Sequence, residues 1–221
     1  AIGREQEIAD LELILISPKK SPLLIGDAGV GKTSVVEGLA YRLQKGNVPD
    51  LLKNKKIFKL TTTSLLSGTK YVGEMEDRIK KLAGELEAHP DVLLFIDEIH
   101  RFSKSQQDSL LGAVEKGVVT LIGATTENPS FEVIRPLLSR CQLYVLKSLA
   151  QEDLLKLLER AITEDEELKK KIITLKETGA LIRYSGGDAR KLLNILELVV
   201  SAFNEDDIVI TDDVVVERLQ Q

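Results

Sequence analysis

The sequence predicts an α/β fold, a three-layer structure on a parallel sheet followed by a smaller helical domain, and three observations carry that reading. Five short apolar runs, PLLIG (22–26), KIFKLT (56–61), DVLLFID (91–97), VVTLIGAT (118–125) and QLYVL (142–146), have the near-continuous hydrophobicity of buried parallel strands. Amphipathic segments at 32–45, 73–88 and 105–116 lie between them, the alternation of strand–helix–strand units. After Leu146 the strands nearly stop. Residues 151–221 place Leu154, Leu155, Leu157 and Leu158, then Leu192, Leu193, Ile195, Leu196, Val199 and Val200, at helical spacing, interrupted by SGGDAR and one short strand-like IVI. The boundary falls at KSLAQED, where Ser148, or Ala150 to Asp153, can open a helix. The expected domains are 1–148 and 149–221.

Composition narrows the class. A chain of 221 residues, 43% hydrophobic, can bury a substantial core. No apolar stretch approaches the ~18 residues of a membrane span, and the first residues lack a basic–apolar–small pattern, so no membrane association and a cytoplasmic location are expected. The single Cys141 excludes an internal disulfide, and His89 and His100 offer little for a metal site. The net charge of −5 is uneven, with 20 basic and 19 acidic residues up to residue 148 but 10 and 16 after it, so the acidity sits in the C-terminal part. A general basic face for nucleic acid is absent, which leaves binding through a local patch, and 4% aromatic residues with no Trp argue against a base-stacking platform.

The first run leads into Gly26-Asp27-Ala28-Gly29-Val30-Gly31-Lys32-Thr33, which satisfies G-x(4)-G-K-[ST] between a strand and a helix. Side-chain-poor backbone there lets N–H groups converge on phosphate oxygens at a helix N-terminus. Lys32 would meet the outer phosphates and Thr33 would ligate Mg²⁺, so ATP with Mg²⁺ is the expected ligand. A Gly-rich strand-to-helix turn could carry Lys-Thr by chance, but the complete pattern in this context favours phosphate binding.

VLLFIDEIH supplies the complement. A buried strand ends in Asp97, suited to the magnesium shell, and Glu98, suited to activate the attacking water. Alone, such a strand end is usually only solvated; the phosphate loop upstream turns the reading toward function. His100 is expected to be packed or solvent-facing rather than catalytic.

With these residues the chain resembles the AAA+ ATPases over essentially its whole length. IGREQEI, PLLIGDAGVGKTSVVEGLAYRLQKGNVPDLL and LLSGTKYVGEMEDRI resemble the first ATPase domain of Clp-type protein-unfolding ATPases. From DEIH onward, DEIHRFSKSQQDSLLGAVEKGVVTLIGATTENPSFEVIRPLLSRCQLYVLKSL and SGGDARKLLNILE resemble the replication-associated recombination ATPases, relatives of clamp-loader subunits. Residues 1–98 and 97–221 thus point to two branches meeting at a shared Asp-Glu strand, as in a chimera.

The resemblance implies further roles. It makes the fold a P-loop NTPase of AAA+ type whose C-terminal helical domain is a lid. Ile2 and Gly3 match the element that contacts adenine. Thr126, with Thr125 as the near alternative, matches sensor 1. Arg140 in LLSRC matches the arginine finger that reaches a neighbouring subunit's γ-phosphate, and Arg190 in GGDARK matches sensor 2. Lys70 and Tyr71 in GTKYVG match the Clp pore loop that grips a threaded polypeptide. The chain departs from Clp enzymes at Val72, where arginine is usual, in a single finger arginine, and in having no second pore-loop insertion before sensor 1.

The expected function is ATP hydrolysis at the interfaces of a homo-oligomeric ring, a hexamer if assembled, remodelling a protein or a DNA substrate. The competing expectation is a folded nucleotide-binding chimera or scaffold without productive assembly.

Overall fold

The computed structural model describes residues 2–18, 20–66 and 73–220. The chain divides into two compact units, one of residues 3–26 and 32–146, the other of residue 2, residues 27–31 and residues 147–221.

In the first unit, strands β1 (Ser21–Ile25), β2 (Lys56–Leu60), β3 (Val92–Ile96), β4 (Thr120–Thr125) and β5 (Cys141–Val145) form a parallel sheet of order β2-β3-β4-β1-β5. The five expected runs are thus the five strands, but their burial is uneven. β1, β3 and β4 are interior and almost wholly buried, whereas β2 and β5 are edges that expose Phe58, Leu143 and Val145. The expectation of five buried strands is corrected for these two, because an edge strand can be apolar while only part of it faces the core. The strand ending at Asp97 is interior, yet the central strand is β4.

The connecting helices are α1 (Glu5–Ile16), α2 (Lys32–Gln44), the short α3 (Thr62–Leu66), α4 (Glu74–Leu86), α5 (Lys104–Glu115), and the one-turn α6 (Pro129–Glu132) and α7 (Arg135–Leu138). Side chains alternate across a strand, and Leu94 and Ile96 join one cluster with Leu23, Leu60 and Leu121, Met75 and Ile79 of α4, Leu110 of α5 and Leu137 of α7. Helices α1 and α2 pack on each other and on β1 and β2. The cluster draws on residues from both sides of Asp97, so packing is continuous across the junction where the sequence resemblance changes.

The second unit contains α8 (Gln151–Glu164), α9 (Gly179–Ser185), α10 (Ala189–Ser201) and α11 (Asp212–Leu219) around Leu154, Leu158, Leu181, Leu192, Leu196 and Val199. It is not purely helical. Two short strands, β6 (Ile172–Leu175) and β7 (Asp207–Ile210), pair in parallel. The IVI segment is β7; its partner was not expected, because IITL is short and follows a lysine run. Ile208 and Ile210 are fully buried in the unit's core, which explains why this two-stranded piece persists. Among the described residues, no helix is long and apolar enough to cross a membrane.

Candidate nucleotide site

Strand order brings the site together. The carboxyl ends of β3, β4 and β1 are adjacent, and the Gly26 N–H donates to the Thr125 carbonyl at 3.3 Å. The loops beyond these three strands carry the phosphate motif, Asp97 with Glu98, and Thr126, the place where open α/β sheets bind ligands.

Gly29 and Gly31 have φ of 77° and 101°, the left-handed region that glycine enters without the Cβ penalty. The motif glycines therefore serve the loop's path. Lys32 opens α2, is only 7% exposed, and its Nζ donates to the Gly26 carbonyl at 2.6 Å. An ammonium has three protons, so Lys32 can brace the loop with one and serve phosphate oxygens with others.

The Thr33 hydroxyl donates to Asp97 Oδ2 at 3.2 Å, joining the start of α2 to the end of β3. A hydroxyl and a carboxylate so close are a fitting partial shell for Mg²⁺, which keeps several waters and takes its other ligands from phosphates. Lys59 of β2 also places its Nζ 2.9 Å from Asp97 Oδ2, a cation that competes for the same carboxylate.

Glu98 stands at φ 55°, ψ 56°, one of two described non-glycine residues with positive φ. Such a conformation costs on the order of 1–3 kcal/mol and persists only where the surroundings impose it. Here it lets the chain turn sharply out of β3 into a 3-10 turn, Ile99–Arg101, closed by the Arg101 N–H on the Glu98 carbonyl at 2.9 Å. The half-exposed Glu98 carboxylate pairs with Arg101.

Against this geometry, the family described as "ATPase family associated with various cellular activities (AAA)" matches residues 22–149, more than half of the chain. The chain belongs to the AAA ATPase family. Its relatives lie in both branches that the motifs indicated. Replication-associated recombination protein A of Coxiella burnetii is 37% identical over 203 residues, covering 90% of this chain and 42% of that protein. The chaperone protein ClpB of Porphyromonas gingivalis is 44% identical over 135 residues, covering 57% of this chain and 16% of that protein. Among solved structures, Saccharomyces cerevisiae Hsp104 in its complex with casein superposes with a TM-score of 0.76 at 27% identity, over 96% of this chain and 40% of that one. This AAA chain therefore spans about two fifths of the recombination protein it matches.

The other expected site residues of the AAA chain occupy distinct places. Thr126, half-buried, follows β4 directly; Thr125 is fully buried, its hydroxyl accepting the Glu127 N–H at 3.0 Å. Arg140 precedes β5 at the amino end of the strands, where its carbonyl accepts the Ser21 N–H at 3.1 Å and its guanidinium pairs with Glu115 at 3.3 Å. The phosphate loop begins at the opposite end of β1, about 15 Å away at ~3.3 Å per residue. Arg140 is thus remote from the phosphate loop of its own chain.

In the second unit, Arg190 is exposed in the first turn of α10, beside Lys191 and behind Asp188, whose carboxylate caps the Lys191 N–H at 2.9 Å. Arg190 and Lys191 add positive charge to a helix end that is already positive, and the Asp188 carboxylate offsets part of it. Gly3 has φ 67° and leads into the buried Arg4, which pairs with Glu7 at 2.6 Å; Ile2, half-buried, groups with the second unit. Lys70 and Tyr71 lie outside the described residues.

Two supporting residues make contacts that no sequence motif shows. Gln107 of α5 is fully buried; its amide donates to the Phe102 and Glu132 carbonyls at 3.0 and 2.8 Å and accepts the Ile134 N–H at 2.9 Å. It fastens the segment between Thr126 and Arg140 to the core. His100 places Nδ1 3.0 Å from Thr125 Oγ1. A buried amide and a histidine beside an acidic strand end have no motif of their own; only the pairing of remote segments exposes them.

Proposed function

We propose that the chain binds ATP with Mg²⁺ on the loop Gly26–Thr33 and hydrolyses it within an assembly of copies, each supplying Arg140 to its neighbour. In this reading Asp27, Ala28 and Val30 contribute backbone to the phosphate cradle together with the motif glycines. Lys32 holds the outer phosphates, and Thr33 and Asp97 hold the ion, which neutralises developing charge on the phosphates when bound. Glu98 accepts the proton of the attacking water, Thr126 orients that water, and Arg190 brings the second unit, acting as a lid, toward the nucleotide. Ile2 and Gly3 border the adenine, and the domain boundary near 148 is the hinge of the lid.

The observation that carries the interface is the position of Arg140 at the amino end of the strands, too far from its own phosphate loop to act there. An arginine that stabilises transition-state charge from that position must do so in a second copy. A heterologous contact of this kind closes into a ring when the rotation permits, a hexamer being the form the family resemblance implies. Hydrolysis then drives remodelling of a protein or DNA substrate. Tyr71 and Lys70 as a pore loop would favour a polypeptide, in a cytoplasmic setting.

A second reading is supported by the likeness to two branches, the recombination protein and ClpB. If the halves derive from different parents, the fold is cooperative and binds nucleotide while the ring closes poorly, because the Arg140 surface and its receiving surface were not selected together. Mixing two inactive variants separates these readings. Arg140→Ala keeps an intact site and Glu98→Gln keeps an intact finger, so recovery of hydrolysis on mixing supports a shared interface. No recovery, with a monomer in sedimentation and ATP bound, supports the scaffold.

A further inference from the structure

The hydroxyl of Thr125 joins two turns that the proposed reaction needs in register. Thr125 is fully buried at the end of the central strand, and a buried hydroxyl places its proton on an acceptor. Its oxygen accepts the Glu127 N–H at 3.0 Å, which pins the turn carrying Thr126. Its remaining neighbour is His100 Nδ1 at 3.0 Å. The hydroxyl therefore donates to Nδ1, leaving the imidazole proton on Nε2. His100 sits in the 3-10 turn Ile99–Arg101, which begins immediately after Glu98 and is closed on the Glu98 carbonyl.

The backbone at Glu98 is in the left-handed region, and a conformation of that kind relaxes unless something outside the turn holds it. The described side-chain bond from this turn to β4 is the one made by His100. We propose that His100, acting through Thr125, is a positioning residue that fixes the Glu98 carboxylate relative to Thr126. This rests on the roles proposed for Glu98 and Thr126. His100 touches neither nucleotide nor water in this scheme; it holds the angle at which Glu98 leaves the strand. Displacing a reacting group by ~1 Å can cost ~100-fold in rate, so the tie has room to matter.

The test uses the full chain and four variants: His100→Ala, Thr125→Val, Thr125→Ser and the His100→Ala/Thr125→Val double. Expected is a fall in kcat of roughly 10- to 100-fold for His100→Ala and for Thr125→Val. The affinity for a fluorescent ADP, the KM and the melting temperature stay near wild type. Thr125→Ser, which keeps the hydroxyl, restores turnover, and the double variant is no worse than either single one. A readout independent of turnover is the ring ¹⁵N spectrum, readable because the chain has only 2 histidines. Thr125→Val must shift the His100 Nδ1 resonance and Thr125→Ser must not.

Unchanged kcat in His100→Ala, or Thr125→Ser as impaired as Thr125→Val, or an unmoved Nδ1 resonance, overturns the proposal. Glu98→Gln run in parallel separates it from the parent reading. If that variant hydrolyses normally, the base assignment fails; if it is inactive while His100→Ala is not, only the tie fails.

Discussion

The two sides of the nucleotide site are built differently. The proposed binding side is one contiguous stretch, Gly26 to Thr33, in which backbone N–H groups and a single lysine braced on the Gly26 carbonyl would do the work. The residues proposed for hydrolysis are gathered from three places: Glu98 and His100 after β3, Thr125 and Thr126 at the end of β4, and, from a neighbouring copy, Arg140 before β5. A contiguous loop folds as one local unit, whereas a dispersed set depends on the sheet and on buried ties such as Gln107. Binding should therefore survive most changes that stop hydrolysis, and the reverse should not occur.

The largest effect expected is from Lys32→Ala, which removes the compact charge facing the outer phosphates and with it detectable ATP and ADP binding by calorimetry. Unchanged affinity would erase the distinction between the two sides. Arg140→Ala is next, with binding intact and turnover down about 10³ to 10⁵ in any preparation that assembles. Specific activity of the wild type should rise with protein concentration, and a flat profile would detach Arg140 from the active site. Glu98→Gln should bind ATP normally and lose about 10² to 10⁴ of its rate in a single-turnover assay.

Smaller effects sharpen the contrast. Gln107→Leu leaves the partly buried Ile134 N–H and two carbonyls without their partner and should cost roughly 2–4 kcal/mol in denaturant unfolding, with ADP affinity nearly unchanged. A parallel loss of ADP affinity would show that the ties also shape the binding side. The smallest effect concerns Cys141, half-buried at the start of β5, where burial pushes the thiol up to about 11 against a minor lowering by Lys20. Because the raised value keeps the thiolate scarce until strongly alkaline pH, its iodoacetamide labelling in the folded chain should keep climbing through pH 10 without a plateau. A plateau near pH 9 would mean that the edge at β5 is open to water.

The strand–loop–helix path of the contiguous stretch is legible in the sequence, because a motif of fixed spacing between a strand and a helix specifies its own geometry. The sequence also locates all five strands, but it does not by itself separate the interior strands from the edges. KIFKL carries two lysines, a feature that suits an edge, but QLYVL has no such mark, and the strand order shows that each has a sheet neighbour on one side alone. β6 was missed because four residues offer too few positions for a period. Asp97 and Glu98 stand out by their place after an apolar run, whereas nothing in the sequence joins His100 to its partner in another strand. The choice between Thr125 and Thr126 gains a physical basis here, the first hydroxyl being occupied within the fold and the second residue standing in the turn beyond it.

The sheet order has a consequence for how this chain is made. β1 leaves the ribosome well before both strands that flank it, β4 and β5; the Leu121 N–H that bonds the Ser21 hydroxyl is 100 residues away. At about 5 to 20 residues per second, translation leaves Leu23 and Leu24 without sheet partners for roughly 5 to 20 seconds. During that interval an apolar strand next to a glycine loop is exposed to whatever is nearby. A nascent chain stalled before β4 is therefore the species on which molecular chaperones should act, and slow codons placed between β3 and β4 should lower the soluble yield more than the same codons placed after β5.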